Sequence, residues 1–176
     1  MLSWFRQRRG PQATELWDRW FRPVVPEGHA SLEAFESLLT TEETERLPKT
    51  LAKLAAEGAE RIHRVRKHDL DPDRGGLAYL DELCGPALLQ NLTAGQDPAD
   101  PRNLLRVVTT EFGCVLGEIY VRTGRGSWRC ARAPNLWRSG IVSPSGRVYD
   151  PFRAIVRQLS EEREGSALLR NYDAFL

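Results

Sequence analysis

Two glutamates pose the first chemical question. Glu111 and Glu118 lie seven residues apart in and around the run Phe112-Gly-Cys-Val-Leu-Gly-Glu-Ile-Tyr120. Seven residues is close to two helical turns, so both carboxylates share one helical face. Such a pair can act as general acid and base when a cleft holds it. It can equally form a solvated face, or anchor arginines such as Arg122 and Arg125. No nucleophile or oriented base accompanies the pair, so a small enzyme using Glu111 and Glu118 is an alternative expectation, not the leading one.

Other chemistry-bearing residues read more simply. There is no Gly-x-Ser-x-Gly elbow, and Ser127 leads into an expected strand with no assigned base. Cys114 and Cys84 sit among apolar residues and read as small buried hydrophobes, because a reactive thiolate needs an electropositive, exposed setting. His63 and His68 are five apart, off a common helical face. Asp69, Asp71 and Asp73 resemble the start of a calcium loop, but Arg74 and Leu80 stand where that loop needs glycine and glutamate. No metal and no cofactor is expected. Gly124-Arg125-Gly126 lacks the strand–loop–helix setting of a phosphate cradle and reads as a turn.

The densest charge run is Arg61, His63, Arg64, Arg66, Lys67 and His68. Cations at a helix C-terminus are favoured by the macrodipole. A nucleic-acid surface would add interleaved aromatics or a reading module. A weak nucleic-acid face through Arg61, Arg64 and Lys67 is therefore a second alternative, and nucleic acid is not the expected partner. At the N-terminus, Trp4 and Phe5 beside Arg6, Arg8 and Arg9 could touch an anionic membrane surface, but the apolar part is short. The reading preferred for residues 1–13 is a flexible arm, or one docked on the domain or on a second copy.

These residues need elements to position them. Thr14 and Ser31 can cap two short helices bearing Leu16, Trp17, Trp20 and Phe21, then Leu32, Phe35, Leu38 and Leu39. Thr40 and Glu43 have capping-box spacing. Pro48 suits a first helical position, opening an amphipathic helix through Leu51, Ala55, Ile62 and Val65 that ends near Lys67. Leu77, Leu80, Leu83 and Cys84 form another helical stripe, broken by Gly85-Pro86. Asp100-Pro101 reads as cap plus proline ahead of the helix carrying both glutamates. Beyond residue 120, Trp128 and Cys130 alternate as in a strand. Ile141-Val142 and Val148-Tyr149 flank the turn Ser143-Pro-Ser-Gly146. Asp150-Pro151 opens a helix bearing Phe152, Ile155, Val156 and Leu159, and Ser166 can cap a last one. The fold class predicted is α+β, mainly helical, with a small antiparallel sheet between helices in the C-terminal half. Residues 14–176 form a single domain on this reading.

Composition narrows the function classes. The 176 residues carry 25 Lys+Arg against 24 Asp+Glu, a net charge of +1. That balance argues against a generic polyanion binder. Three widely spaced cysteines without a CxxC fit a reduced, cytoplasmic setting. No stretch approaches the ~18 apolar residues of a membrane span, so integral membrane association is not expected. The N-terminal charges have no apolar stretch after them, unlike a secretory signal.

Phe112-Gly-Cys-Val-Leu-Gly-Glu-Ile-Tyr120, Gly126-Ser-Trp128, Gly146, Asp150-Pro-Phe152 and Leu168-Leu-Arg-Asn-Tyr172 together resemble a loose group of small uncharacterised bacterial domains. That group has a Leu-Gly-Glu-like helix, a Gly-x-Trp strand and a Pro-Phe helix. The resemblance spans about residues 76–176 and implies an α+β fold and a bacterial cytosolic setting. It brings no catalytic residues; by analogy it points to immunity or accessory proteins.

The leading expectation is therefore a non-enzymatic protein-interaction domain with an unidentified protein partner, homo-oligomerisation being left open. Trp128, Arg129, Arg132, Trp137 and Arg138 are its candidate surface, because Trp and Arg are enriched at interface hot spots. The competing reading makes Trp128 and Trp137 core plugs under the sheet.

Overall fold

The computed structural model describes residues 12–36, 39–160 and 167–175. The expected arm at Trp4–Arg9 and the expected cap Ser166 lie outside the described residues. The helices are α1 (Ala13–Trp20), α2 (Leu32–Glu36), α3 (Thr41–Arg66), α4 (Arg74–Leu83), α5 (Pro86–Thr93), α6 (Leu104–Arg122), α7 (Pro151–Ser160) and α8 (Ala167–Ala174). Strands β1 (Ser127–Arg129), β2 (Gly140–Val142) and β3 (Val148–Tyr149) form an antiparallel sheet in that order. The fold is mainly helical α+β with its small sheet between helices in the C-terminal half, as predicted.

One helix organises the core. Helix α6 is apolar on nearly every face, and such a helix is stable only when surrounded. Every residue from Glu111 to Tyr120 is buried. Helices α3, α4, α5 and α7 and strands β1 and β2 all pack against it. Close approach is possible because Gly113 lies under the Phe152 ring of α7 and Gly117 under the Trp128 indole of β1. In the sheet, Ile141 is central, opposite Trp128 on one side and Tyr149 on the other, and fully buried.

Local signals explain most boundaries. The Thr40 hydroxyl accepts the Glu43 N–H (3.2 Å) while the Glu43 carboxylate accepts the Thr40 N–H (2.8 Å), the predicted box. Ser31 caps α2 through the Ala34 N–H, and Asp150 caps α7 through the Arg153 N–H. Lys67 closes α3 in the left-handed region, at φ 55°.

Three expected boundaries move. Pro48 stands inside α3 instead of opening a helix, so the segments on either side of it form one rod. An interior proline costs ~3 kcal/mol; burial of Leu47 and Leu51 on either side, against the core, offsets it. Asp100-Pro101 belongs to a turn in which the Asp100 carboxylate accepts the Arg102 N–H. The cap of α6 is Asn103, fully buried, whose side-chain oxygen accepts the Arg106 N–H at 2.8 Å. Helix α1 starts at Ala13, one residue before Thr14, with Glu15 folding back onto the Gln12 N–H. Among the described residues no helix is long and apolar enough to cross a membrane.

Candidate functional site

The two glutamates are both buried, yet they are held by different elements. Glu111 faces α3, where Arg61 donates to it through Nε (2.5 Å) and Nη2 (2.8 Å). The carboxylate raises the Arg61 pKa above its ordinary value. Gly58, one turn before Arg61, lets α3 approach the Glu111 backbone. Glu118 faces the sheet and accepts the Trp128 indole N–H at 2.8 Å, with Arg122 at 3.5 Å. Seven residues along the helix separate the two carboxylates by ~10 Å. Each has a dedicated structural partner, which is the arrangement of fold anchors.

The tryptophan and arginine cluster near the sheet is largely turned inward. Trp137, in a short 3₁₀ turn at Leu136–Arg138, is buried edge-on to Phe21. Arg132 donates to the Phe35 carbonyl (2.5 Å) and to Glu43 (2.8 Å), tying the loop to α2 and to the start of α3. The pair holds the Glu43 carboxyl well below the usual carboxylate range, at about 2. Arg138 binds Glu36 at 2.8 and 3.0 Å. Trp128 is half-buried over Gly117. Arg129, on the outer strand, is exposed and has no side-chain partner among the described residues.

The basic run at the end of α3 is similarly occupied. Arg61 is bound to Glu111, and Arg64 pairs with Glu60 (3.1 Å). His63 Nδ1 lies 2.7 Å from the Asp69 carboxylate, and His68 stacks on Tyr79 with ring centroids 3.7 Å apart. Lys67 and Arg66 remain exposed. Asp73, third of the expected aspartate series, caps α4 through the Gly75 and Gly76 N–H groups. Among the described residues no group of three or more His, Cys, Asp or Glu could hold a metal ion. Cys84 and Cys114 are buried thiols whose pKa burial pushes up, and half-buried Cys130 is pushed up to about 11 for the same reason.

The built site lies elsewhere. An open cleft of ≈ 490 Å³ separates the end of α1 from the loop before α6. Arg19, Arg22 and Arg106 line it, with Asp97, Val24 and the prolines Pro23, Pro98 and Pro101. Arg106 is only 7% exposed. Its Nε (3.0 Å) and Nη2 (2.7 Å) both donate to the Trp20 carbonyl, and its guanidinium lies 5.0 Å from the Trp137 ring centroid. Burial pushes the Arg106 pKa down, offset in part by the Asp100 carboxylate. Among the described residues no carboxylate lies within ion-pair distance of Arg106. Asn135, fully buried, braces the cleft wall by exchanging two hydrogen bonds with the Val24 backbone (2.9 and 2.7 Å).

Sequence reasoning missed this cleft, although a signal was present. Arg106 is the third residue of α6, where the macrodipole favours acidic residues and disfavours cations, and the first turn of α6 holds no acidic residue. Comparison with protein-family models, with curated proteins and with solved structures finds no match for the chain.

Proposed function

We propose that the chain is a non-enzymatic protein-interaction domain, and that it binds its partner at the cleft between α1 and the 94–103 loop. Its resemblance to small bacterial domains supports a cytoplasmic accessory or immunity role. The observation that carries the reading is how the chemistry-bearing side chains are used. Glu111 and Glu118 are committed to Arg61 and Trp128, and Arg132, Trp137 and Arg138 fasten the loop after β1 to α1, α2 and α3. The cleft instead combines guanidinium groups with exposed apolar surface at Val24, 40% accessible. A mixed apolar and arginine-rich patch is the chemistry of interface anchors.

Photo-crosslinking in cells of the native source tests this. A photoreactive residue replaces Val24 in one variant and Val65 in another; Val65 is 70% exposed and lies at the far end of α3. A discrete cross-linked protein product at position 24, absent at position 65, is expected. Identical patterns at both positions, or no product at position 24, would refute the reading.

A further inference from the structure

We infer that the cleft between α1 and the 94–103 loop takes carboxylates carried on an acidic segment of a partner protein, an inference that rests on the interaction reading above. Arg106 carries its charge into the interior, only 7% exposed. A buried charge is costly unless it is paired and hydrogen-bonded. The Trp20 carbonyl and the Trp137 ring supply dipolar and quadrupolar compensation, and the Asp100 carboxylate acts on Arg106 only from beyond ion-pair distance. Four arginines elsewhere, Arg61, Arg74, Arg132 and Arg138, each have a carboxylate within 3 Å, while the less buried Arg125 rests on the Tyr172 carbonyl and ring. Arg106 has no carboxylate so close among the described residues, although it is buried more deeply than the side chains of those four. Its two hydrogen bonds use Nε and Nη2, so Nη1 remains without a protein acceptor among the described residues.

The surroundings reinforce the demand for negative charge. Arg19 and Arg22 line the same cleft and form no ion pair among the described residues; Arg22 donates only to the Asp18 carbonyl, at 3.3 Å. Arg19 in the last turn of α1 suits the macrodipole, but Arg106 in the first turn of α6 opposes it. An anion beside Arg106 relieves both the unpaired charge and the unfavourable helix position.

Shape and polarity select the carrier. Small-molecule sites bury most of their ligand in a concave pocket, whereas this cleft is open along one side. Its walls are Val24 and three prolines. Prolines offer apolar contact and no N–H donors, so the guanidinium groups are the main donors of the cleft. Asp97 stands on the lining and disfavours a compact dianion such as phosphate. Carboxylates spaced along a chain can reach Arg106 and Arg19 or Arg22 separately, while intervening apolar side chains rest on Val24 and the prolines. Arginine–carboxylate contacts are charge-assisted and among the stronger hydrogen bonds.

The test uses the full chain and a blocked peptide of alternating glutamate and leucine. A glutamine-for-glutamate peptide and inorganic phosphate are the controls, all measured by titration calorimetry. The glutamate peptide is expected to bind and the glutamine peptide is not. Removing one charge-assisted hydrogen bond should weaken binding by about tenfold or more. The variant Arg19→Ala/Arg22→Ala alters two exposed residues, so it should lose that affinity with unchanged thermal unfolding. Arg106→Gln should lose it as well, measured on protein whose circular dichroism is native. Equal binding of the two peptides, or undiminished binding by Arg19→Ala/Arg22→Ala, overturns the inference. Displacement of the peptide by an equal concentration of phosphate also overturns it, since the cleft would then be a simple anion site. If cross-linking at position 24 persists in Arg19→Ala/Arg22→Ala, the interaction reading stands and the acidic-segment inference falls. If the peptide binds but position 24 never cross-links, both fall, because the cleft then takes carboxylates with no partner protein to carry them.

Discussion

The packing of α6 makes a sharp demand at Gly113. Replacing Gly113 with alanine raises intrinsic helix propensity by ~0.8–1 kcal/mol, so local reasoning predicts stabilisation. The tertiary environment predicts the opposite. A Cβ there would press on Phe152 Cδ1 and come within 2.8 Å of Cε1 and 2.9 Å of Cγ, well inside van der Waals contact. Phe152 cannot easily retreat. It is fully buried at the start of α7 and packs beside Trp128, ring centroids 6.2 Å apart. Overpacking costs ~1–3 kcal/mol, and an immobile ring puts this site at the upper end. Subtracting the propensity gain leaves a net loss of about 2 kcal/mol. For a domain of this size that corresponds to a fall of roughly 4–8 °C in Tm.

Thermal and urea unfolding of Gly113→Ala, Phe152→Leu and the double variant read this directly. Leucine removes the ring edge that the new methyl meets, so Gly113→Ala should cost less in the Phe152→Leu background, by about 1 kcal/mol of coupling. A rise in Tm for Gly113→Ala would refute the packing argument. So would additivity of the two substitutions within ~0.5 kcal/mol.

Other consequences can be read from single pairs. Arg61→Met leaves the Glu111 carboxylate buried without its partner; breaking a fully buried pair costs ~3–5 kcal/mol, and because the Arg61 side chain is 42% exposed the expected loss is about 1–3 kcal/mol in urea unfolding. Glu43, held down to about 2 from 4.5 chiefly by the Arg132 hydrogen bond, contributes stability that is present above pH 4.5 and lost as pH falls towards 2. Acid titration of Glu43→Gln should therefore show a shallower loss of stability across that interval; an unchanged slope contradicts the pairing. With Cys130 pushed up to about 11 and Cys84 and Cys114 buried, a thiol-reactive disulfide at neutral pH should modify native protein slowly, at Cys130 alone. All three should react once the chain is denatured; rapid modification of two or more thiols in the native state contradicts the burial.

The elements that were legible from sequence share one property: their determinants are adjacent in the chain. The Thr40–Glu43 box, the Ser143–Gly146 turn with Gly146 at φ 83°, and the Asp150-Pro151 start each close within a few residues. The boundaries that moved had determinants farther away. Pro48 reads locally as a helix start, but buried Leu47 and Leu51 hold the helix continuous through it. Asp100-Pro101 and Asn103 present the same kind of capping chemistry three residues apart, and burial of Asn103 selects between them.

The site was harder still, because its residues are paired across the whole chain. Arg61 meets Glu111, Arg132 meets Glu43, Arg138 meets Glu36 and Arg74 meets Asp173, at separations that no periodicity encodes. Arginine beside tryptophan therefore looks the same in sequence whether it forms an interface or fastens a loop from within. What separates the two roles is whether the fold supplies a countercharge. Arg132 and Arg138 receive theirs from α2 and α3 and are consumed. Arg106 is buried as deeply as a core residue, sits at the wrong end of its helix for a cation, and is bonded to a carbonyl and faced by a ring, with Asp100 acting only from beyond ion-pair distance. A fold that pairs so many of its arginines, yet leaves this one open to a cleft with two more, has left the countercharge to come from outside.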